Sequence, residues 1–359
     1  MTRQLFVLIP ANTPTGPVKG AYALANALAD QCKITLVTIS HGCGANAWID
    51  PRIKIICLAD VSNNYAAKLI HYRSLLRRSG GRSKIASLSL CLSADFINIF
   101  CSQYALTCCS VRGNLFMNYR HDYGLVGVAV AFFHLFSLRW IDHVVAMNRS
   151  MAMQIKKYSG RTAQVVGNFI DELRLNSKNL KKNESDPFVF IFVGSLTSRK
   201  QPRLLIRALR DLLNRNVTAY VEYVGSGPES TKIEQDIRQF ELADFVKFHG
   251  FLSDPESVVI NADALVLPSL SEGISRAAME ALYVGIPCVL RDADGNTELV
   301  TDGINGAVFA DESDLPDAML RAARLSRLNN KRECLLPPDF RQHRAAKKYL
   351  VLIGIDDES

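Results

Sequence analysis

Short apolar runs alternate with amphipathic stretches through the C-terminal half of the chain, and this alternation is what most constrains the fold. The apolar runs are rich in Val, Ile and aromatic residues, and they occupy residues 188–194, 219–225, 245–250, 264–269 and 287–290. Helical stretches such as 202–216 and 228–242 separate them. Strands joined by helices over short links predict a parallel sheet that is covered on both faces.

The N-terminal half begins with the same alternation. A strand at residues 5–9 leads through a Gly/Pro-rich loop into a helix at 21–30 and a second strand at 33–38. Residues 141–151 are typical of a strand that runs into a helix. The chain therefore repeats one α/β pattern in both halves.

The length and composition allow two domains. The chain has 359 residues, 48% of them hydrophobic and 21% charged, which suits a globular protein with two hydrophobic cores. Residues 171–187 are polar and lack periodicity, so they are predicted to form the linker. We therefore predict α/β domains at 1–170 and 188–338, with a last helix and tail at 339–359.

The net charge of +7 conceals an asymmetry between the halves. Residues 1–180 contain 20 Lys and Arg and 8 Asp and Glu, which gives +12, and the rest contain 22 and 27, which gives −5. Residues 68–84 carry six cations, and no acid occurs between Val61 and Ala94. This segment predicts either a solvated charged helix or a surface for an anionic membrane or lipid-linked substrate. Nucleic acid is not expected, because the segment has few aromatic residues and no nucleic-acid motif occurs.

Two further features bear on the cellular compartment. The nine cysteines form no CxxC pair or metal-ligand pattern, so we expect them to be small core residues in a reducing compartment. The longest apolar run, residues 124–138, has 15 residues where a membrane span needs roughly 20, which predicts a buried or interfacial helix. The first strand is too short for the core of a signal peptide. We expect a cytoplasmic protein that can lie peripherally at the inner face of the cytoplasmic membrane.

The segment SLSEGISRAAMEALYVGIPCV contains two glutamates, Glu272 and Glu280. On a continuous helix they would lie about 12 Å apart, whereas the carboxylates of a glycoside hydrolase are roughly 5–9.5 Å apart. Gly273 allows close backbone approach, and Ser275 is predicted to cap the following helix. The spacing favours two contacts on one extended ligand over a hydrolase pair.

Glycine-rich loops follow several of the predicted strands. They are GPVKG, GSLTSRK, GSGPE and SLSEGIS. In open parallel sheets, ligands bind outside the carboxyl ends of the strands. Backbone N–H groups of such loops and helix N-termini attract anions, so these loops predict a phosphate-binding edge.

At these loops the sequence resembles family 4 of the retaining glycosyltransferases, also called glycosyltransferase group 1. SEGISRAAMEALYVGIPCV is similar to the signature of two glutamates separated by seven residues, and the similarity continues through GNTELVTDGINGAVF. VGSLTSRKQPRLLIRAL resembles the phosphate-binding strand, loop and helix of the family, VGSGPE its GxGP turn and VVGNFID its segment before the linker. The resemblance covers most of residues 188–350 and is looser before them. It implies the GT-B fold, in which two Rossmann-like domains face each other across a cleft and the last helix crosses back to the N-terminal domain.

The resemblance implies a role for each matching residue. Glu280 would bind the ribose hydroxyls of a nucleotide, Glu272 would contact the transferred sugar, and Lys200 would face the diphosphate. The other donor-binding residues would be Gly20, Gly194, Ser195, Arg199, Gly225, Gly273, Ile274 and Ser275. The implied reaction transfers a hexose, with retention, from a nucleoside-diphosphate sugar to a glycan or lipid-linked acceptor in cell-surface glycan biosynthesis. Neither a cofactor nor a metal is expected.

Three positions differ from the pattern of the family. Ser195 stands where many members have Arg, and Arg199 is predicted to replace it. Gly20 is a single glycine where members have two. Arg112 stands at the place of a His near the transferred sugar, and the nearby His121 is predicted to serve with it in catalysis.

Other potential ligand residues are expected to have ordinary roles. Asp292 and Asp294 form a DxD triplet, which binds Mn²⁺ or Mg²⁺ in glycosyltransferases of the other main fold, but here it follows the strand after the two-glutamate helix. We therefore expect no metal there. Surface or core roles are expected of His41, His71, His134, His143, His249 and His343.

Two alternatives remain open at this level. Nucleotide-sugar 2-epimerases share the GT-B fold, but they lack the two-glutamate signature and need no basic helix that faces a membrane. A protein that binds a partner or a nucleotide without turnover is also compatible with Ser195 and Arg112. The donor base, the sugar and the acceptor are not predicted.

Overall fold

The computed structural model describes residues 4–13, 16–42, 49–175, 187–252, 254–329 and 331–354. The chain divides into a first unit, Met1–Asp171 with Pro338–Ser359, and a second unit, Glu172–Pro337. Most of the predicted linker at 171–187 lies outside the described residues. In both units the paired strands are parallel, as the alternation of strands and helices predicts.

The first unit contains a seven-stranded sheet. Its strands are β1 (Gln4–Ala11), β2 (Lys33–Ser40), β3 (Lys54–Cys57), β4 (Ile85–Leu90), β5 (Leu106–Val111), β6 (His143–Ala146) and β7 (Gln164–Val165). Their order across the sheet is β3-β2-β1-β4-β5-β6-β7. The middle of β1 and all of β4 are buried, which explains why these strands are continuously apolar or small instead of alternating with polar residues.

Within the described residues up to 171, five α-helices accompany this sheet. They are α1 (Gly16–Leu28), α2 (Tyr65–Arg78), α3 (Leu92–Ile99), α4 (Leu115–Ser137) and α5 (Arg149–Ser159). Asparagine side chains accept backbone N–H groups in the first turns of three of them, through Asn64, Asn114 and Asn148. These caps satisfy N–H groups that have no partner within the helix, and so they set where α2, α4 and α5 begin.

The start of α1 corrects one prediction. The helix was expected from residue 21, with Gly20 in the preceding loop, but Gly16 and Gly20 both lie within α1. Proline is tolerated in a first helical turn, where its missing N–H has no helical partner, so Pro17 does not exclude the helix. Gly20 is therefore part of helix α1 and not of the loop that was predicted before it.

Helix α4 is broken at Gly124, whose φ of 62° and ψ of −139° are not helical. A Cβ on Gly127 would lie 1.8 Å from the carbonyl oxygen of Tyr119. In a continuous helix these residues would be about 12 Å apart. The chain therefore turns back at Gly124, and the predicted apolar helix at 124–138 is the second of two packed segments.

The second unit contains a six-stranded sheet. Its strands are β8 (Phe188–Val193), β9 (Ala219–Val224), β10 (Val246–Gly250), β11 (Ala264–Leu267), β12 (Cys288–Arg291) and β13 (Gly306–Phe309). The helices of this unit are α6 (Glu172–Leu175), α7 (Leu204–Asn214), α8 (Ser230–Gln239), α9 (Glu256–Val259), α10 (Arg276–Tyr283), α11 (Asn296–Leu299) and α12 (Leu315–Leu328). The first five strands match the predicted runs to within two residues, and β13 was not predicted.

The strand order of the second unit locates its ligand-binding edge. The order is β10-β9-β8-β11-β12-β13, so β8 and β11 are neighbours although they are far apart in sequence. The chain leaves them toward opposite halves of the sheet. In open α/β sheets a crevice opens at this reversal, outside the carboxyl ends of the strands. The loops after β8 and β11 carry most of the predicted site.

The last helix, α13 (Gln342–Leu352), belongs to the first unit, as the resemblance implied. Gln342 Nε2 donates to the backbone carbonyl of Ala23 in α1 at 3.0 Å. The buried Tyr349 donates its hydroxyl to Ser110 Oγ at 3.0 Å. Because β5 contains Ser110, α13 is held against both a helix and the sheet of this unit.

Candidate functional site

Two glycine-rich loops contact each other at the carboxyl edge of the second sheet. Gly194 follows β8 with φ of 149°, and Gly225 follows β9 with φ of 132°, a backbone region that side chains rarely adopt. A Cβ on Gly225 would lie 2.0 Å from the carbonyl oxygen of Gly194. The amide of Leu196 donates to the carbonyl of Ser226 at 3.0 Å. Position 225 therefore requires glycine, and the two predicted loops form one rigid edge.

The side chain of Glu272 is the centre of a charged group on this edge. Lys200 Nζ lies 2.9 Å from Glu272 Oε1, Arg199 Nη1 lies 3.9 Å from the same oxygen, and Ser269 Oγ donates to it at 3.3 Å. Burial raises the pKa of Glu272, but Lys200 and Arg199 with these hydrogen bonds outweigh burial, so the pKa lies below its usual value. The structure thus joins the loops after β8 and β11 by an ionised pair of predicted site residues.

Asp294 holds the backbone of the loop that carries Glu272. Ser271 Oγ donates to Asp294 Oδ2 at 2.5 Å, and the amide of Glu272 donates to the same oxygen at 3.1 Å. On the other side, Arg199 Nη1 donates to the carbonyl of Ser271, and the amide of Leu270 donates to the carbonyl of Arg199 at 2.9 Å. The loop is therefore tied both to the segment after β12 and to the segment after β8.

The end of this loop begins α10. Ser275 Oγ accepts the amide of Ala278 at 3.4 Å, so the predicted cap is confirmed. Ile274 is buried, which leaves its backbone and not its side chain for a ligand. Arg276 Nη2 donates to Glu280 Oε1 at 3.3 Å, and both side chains are 13% exposed. Glu280 therefore lies one turn along the same short helix whose N-terminus follows Gly273.

Two predicted residues of the first unit are in contact. A Cβ on Gly20 would lie 2.4 Å from Arg112 Nη1, so glycine at this position of α1 makes room for the guanidinium. Arg112 Nη1 donates to Asn168 Oδ1 at 2.9 Å, and its buried Nε has no hydrogen-bond partner among the described residues. His121 lies on the exposed surface of α4 and takes no part in the contact of Gly20 with Arg112. Asn168 was not predicted as a site residue.

His134, for which no partner was predicted, is buried between two polar groups. Its Nε2 lies 2.8 Å from Asp95 Oδ2, and its Nδ1 lies 3.1 Å from the hydroxyl of Tyr119. Ser89 Oγ donates to the other oxygen of Asp95 at 2.6 Å. Since these residues come from β4, α3 and both segments of α4, spacing along the chain could not reveal the group.

The basic segment at residues 68–84 is less accessible than its composition indicates. Lys68 is only 6% exposed. The guanidinium of Arg73 lies 5.1 Å from the ring centre of Tyr104, and Arg82 Nη2 donates to Asp142 Oδ1 at 3.0 Å. Within the described residues, the exposed cations of this segment without such contacts are Arg77, Arg78 and Lys84.

A group of potential metal ligands lies near the end of β2 and β3 in the first unit. Among the described residues, one group could share a metal ion: His41, Cys57 and Asp60. Cys57 Sγ is 3.6 Å from His41 Nδ1, whereas Asp60 Oδ1 is 3.7 Å from the opposite nitrogen, Nε2. Each residue of this group offers one ligand atom, and these atoms lie within 4.8 Å of one another. In the DxD triplet, Asp292 is exposed whereas Asp294 faces the loop of Glu272.

The same stretch of the chain matches a known family. Residues 174–333 match the family model described as glycosyl transferases group 1. The second unit is a group 1 glycosyltransferase domain. The strands, glycine contacts and charged pair described for this unit are therefore the framework of a glycosyltransferase domain.

Relatives of this glycosyltransferase domain include enzymes of bacterial surface polysaccharides. The chain is 31% identical over 169 residues to a Salmonella typhimurium protein named as the colanic acid biosynthesis glycosyltransferase WcaL, covering 45% of this chain and 41% of that protein. It is 27% identical over 183 residues to the lipopolysaccharide 1,6-galactosyltransferase of the same organism, covering 49% of this chain and 50% of that protein. The chain thus spans half or less of the length of these relatives.

Solved glycosyltransferase structures resemble the whole chain. Anabaena HepE in complex with UDP and glucose matches with a TM-score of 0.77 at 16% identity, covering 98% of this chain and 99% of HepE. Staphylococcus aureus TarM, solved with UDP and other ligands, matches with a TM-score of 0.73 at 12% identity, covering 98% of this chain and 100% of TarM. At these identities the likeness shows the fold alone. The predicted GT-B fold, with two Rossmann-like parallel-sheet domains, is confirmed.

Proposed function

We propose that this chain is a retaining glycosyltransferase that moves a hexose from a nucleoside-diphosphate sugar to a glycan or lipid-linked acceptor. The observation that carries the proposal is the pair of Lys200 and Glu272, which joins the two loops at the strand-order reversal of a group 1 glycosyltransferase domain. Beside it lie the close contact of Gly194 with Gly225 and the N-terminus of α10. A cation, glycine amides and a helix N-terminus together suit an anionic diphosphate.

The reaction requires charge stabilisation at the leaving group. The bond between the sugar carbon and the diphosphate oxygen breaks, and the electron pair stays on the diphosphate. The ammonium of Lys200 and the amides near Gly194 and Gly273 would stabilise this growing charge more than that of the bound donor, which lowers the barrier. The acceptor hydroxyl bonds to the same sugar carbon and gives its proton to a leaving phosphate oxygen. No protein base is needed in this scheme.

The two carboxylates would bind opposite ends of the donor. Glu272 is held ionised by Lys200, so it can accept hydrogen bonds from sugar hydroxyls without taking up a proton at neutral pH. Glu280 would accept hydrogen bonds from the two ribose hydroxyls, with Arg276 keeping its carboxylate oriented. Arg199 lies near Glu272 and would supply the cation that Ser195 lacks.

In the first unit, Arg112 is the residue most suited to the reaction. Its guanidinium packs on Gly20 and bonds Asn168, an amide and not a carboxylate, so the positive charge is available to a phosphate or sugar. His121 would assist from the exposed surface of α4. We propose a reaction without a metal or a cofactor, since Lys200 and Arg199 beside Glu272 would supply the charge that a divalent ion would otherwise provide.

The names of several relatives support a role in the biosynthesis of cell-surface glycans. An Escherichia coli relative, 28% identical over 138 residues, is named UDP-Gal:alpha-D-GlcNAc-diphosphoundecaprenol alpha-1,3-galactosyltransferase. Its name describes a lipid-linked acceptor, and the Salmonella relatives are named for colanic acid and lipopolysaccharide. We therefore propose a role in cell-surface glycan biosynthesis, in the cytoplasm and at the inner face of the cytoplasmic membrane.

Calorimetric titration of the full chain with UDP, GDP and ADP tests the proposal. One diphosphate should bind, and Glu280→Ala should abolish its binding because the ribose contacts are lost. Glu234→Ala is the matched control: Glu234 also pairs with an Arg four residues away on a helix, Arg238 on α8, but on an exposed surface. This variant should bind as the unchanged chain does.

The outcomes separate the competing functions. Binding followed by transfer to an added acceptor, with product and donor sharing one anomeric configuration, supports the proposal. Conversion of the donor to its 2-epimer without any acceptor would identify an epimerase instead. Failure of all three diphosphates to bind would leave a protein without a donor site and refute the proposal.

A further inference from the structure

One face of α4 after Gly124 is exposed and apolar. The residues that point outward recur at helical spacing and carry no charge. They are Leu125, Val126, Ala129, Phe132 and Phe133, and we call this set the α4 face. Leu125 is 84% exposed and Val126 is 70% exposed. A surface helix in water normally directs a polar side outward, so this exposed apolar side is unusual for a helix that faces water.

The contacts on the buried side of this helix explain why the helix cannot rotate about its axis to bury the α4 face. His134 and Asp95, which are 2% and 1% exposed, are joined at 2.8 Å, and Tyr119 binds the other ring nitrogen of His134. Leu135 and Leu138 are fully buried on the same side. A rotation that hid the α4 face would expose these leucines and break a buried polar group, which carries a large free-energy penalty.

Aromatic rings and cations border the α4 face. Phe132 lies 5.9 Å from the ring of Tyr158 on α5, and Lys157 Nζ lies 5.3 Å above that ring. At the end of the helix, the guanidinium of Arg139 lies 3.5 Å from the ring centre of Phe136 and near the half-exposed Trp140. Residues 115–160 contain five Lys and Arg but two acids. An apolar face bordered by Trp, Tyr and cations fits the boundary between acyl chains and anionic headgroups.

We propose that the α4 face docks on an anionic lipid bilayer and lies in its interface. The stretch Tyr123–Trp140 is long and apolar enough to span a membrane by length and composition, and a third of it is buried in the protein. The helical part after Gly124 rises only about 20 Å, against a hydrocarbon core of about 30 Å, and its inner side is bound to Asp95 on α3. The geometry therefore fits a helix that lies on the bilayer, with Arg139 and Lys157 directed to the headgroups.

The α4 face differs from the basic segment at residues 68–84, for which the charge pattern predicted contact with an anionic membrane. Three of the six cations there are buried or bound within the fold. The inference does not require glycosyl transfer, because bilayer binding can be measured without donor or acceptor.

Vesicle flotation with the full chain tests the surface. The vesicles contain equal parts of phosphatidylethanolamine and phosphatidylglycerol, and parallel vesicles contain phosphatidylcholine alone. Leu125→Ser and Phe133→Ser should each lower the partition coefficient on the anionic vesicles roughly tenfold or more, since each removes a large apolar side chain from the membrane. Lys157→Gln should lower it about fivefold, and less on phosphatidylcholine, because one cation near an anionic surface is lost.

Ile70→Ser is the matched control. Ile70 is 67% exposed on α2, close to the exposure of Val126, but it lies in the basic segment and away from the α4 face in sequence. Its partition coefficient should equal that of the unchanged chain. Circular dichroism and thermal unfolding of each variant verify folding, and diphosphate titration reads the donor site separately, so failure of one proposal does not imply failure of the other.

Three outcomes would overturn the inference. The first is an equal loss with Ile70→Ser and Leu125→Ser. The second is a loss with Arg77→Gln and Arg78→Gln but none with the α4 variants, which would move the docking surface to α2. The third is absence of vesicle binding together with a dimer that Phe133→Ser dissociates, which would make a second copy of the chain the occupant.

Discussion

The carboxylate of Asp294 positions the loop that carries Glu272, and removing it perturbs the site without touching a proposed donor contact. Asp294 accepts hydrogen bonds from the hydroxyl of Ser271 and the amide of Glu272 at 2.5 and 3.1 Å. Ser271 is 1% exposed, so its hydroxyl has little access to water as a substitute partner. Asp294→Ala should therefore loosen the loop while the sheet stays folded.

The expected magnitude follows from those two bonds. A hydrogen bond to a charged acceptor contributes about 1.5–3 kcal/mol, and water can replace part of it at a partly exposed carboxylate such as that of Asp294. We expect the free energy that stabilises the ordered loop to fall by about 2–4 kcal/mol when both hydrogen bonds are lost. In Asp294→Ala it should fall by roughly 1 kcal/mol more, because Asp294 has φ of 46°, which alanine tolerates less well. Asp294→Asn keeps this backbone preference and one accepting oxygen, so its loss should be about half as large.

Hydrogen–deuterium exchange is the assay, since it reads the loop whether or not a ligand binds. Amides of residues 269–275 should exchange faster in Asp294→Ala, and diphosphate affinity should fall about 30-fold when 2 kcal/mol of ordering must be supplied on binding. Asp292→Ala is the control because Asp292 is exposed on the same segment. The reasoning is refuted when loop exchange in Asp294→Ala is unchanged. Equal losses of activity in both variants, reversed by added Mn²⁺, would instead indicate a metal-binding DxD triplet.

Two other predictions concern stability in the second unit. Gly225→Ala should lower the free energy of unfolding by about 3 kcal/mol or more, because φ is 132° and the new Cβ would meet the carbonyl oxygen of Gly194 at 2.0 Å. Gly303→Ala, with φ of 77° but open space around it, should lose only about 1 kcal/mol, and equal losses in urea unfolding would contradict the role of the contact. The lowered pKa of Glu272 means that its pair with Lys200 stabilises the fold above the unfolded carboxyl pKa of about 4.3, and this contribution is lost as pH falls through the folded pKa. The stability difference between the unchanged chain and Glu272→Gln should therefore shrink on acidification, and a constant difference across that range would be incompatible with an ionised pair.

Local chemistry made much of the second unit predictable from the sequence. Its first five strands, the glycines that end β8 and β9 and the cap at Ser275 depend on residues close together in the chain. A buried strand needs a run of apolar residues, a left-handed turn needs glycine, and a helix start needs a short side chain that accepts a hydrogen bond. The strand β13 was not predicted, because two of its four residues are Gly and Ala, which are depleted in strands.

The contacts that give the site its chemistry depend on tertiary structure. The pair of Lys200 and Glu272 joins residues 72 positions apart, and Asp294 binds a loop 22 positions before it. In the first unit, Lys68 is buried although its segment is basic, and Gly20 lies in a helix beneath Arg112.

The outward direction of the α4 face has the same origin. The sequence by itself determined that residues 124–138 are apolar and helical, but both a buried and an interfacial helix satisfy that pattern. Tertiary contacts, among them the pair of His134 and Asp95 between segments 39 residues apart, decide which side of the helix faces the core. The periodicity of a sequence predicts a helix and its two faces. Long-range contacts determine which face packs on the protein and which face is exposed.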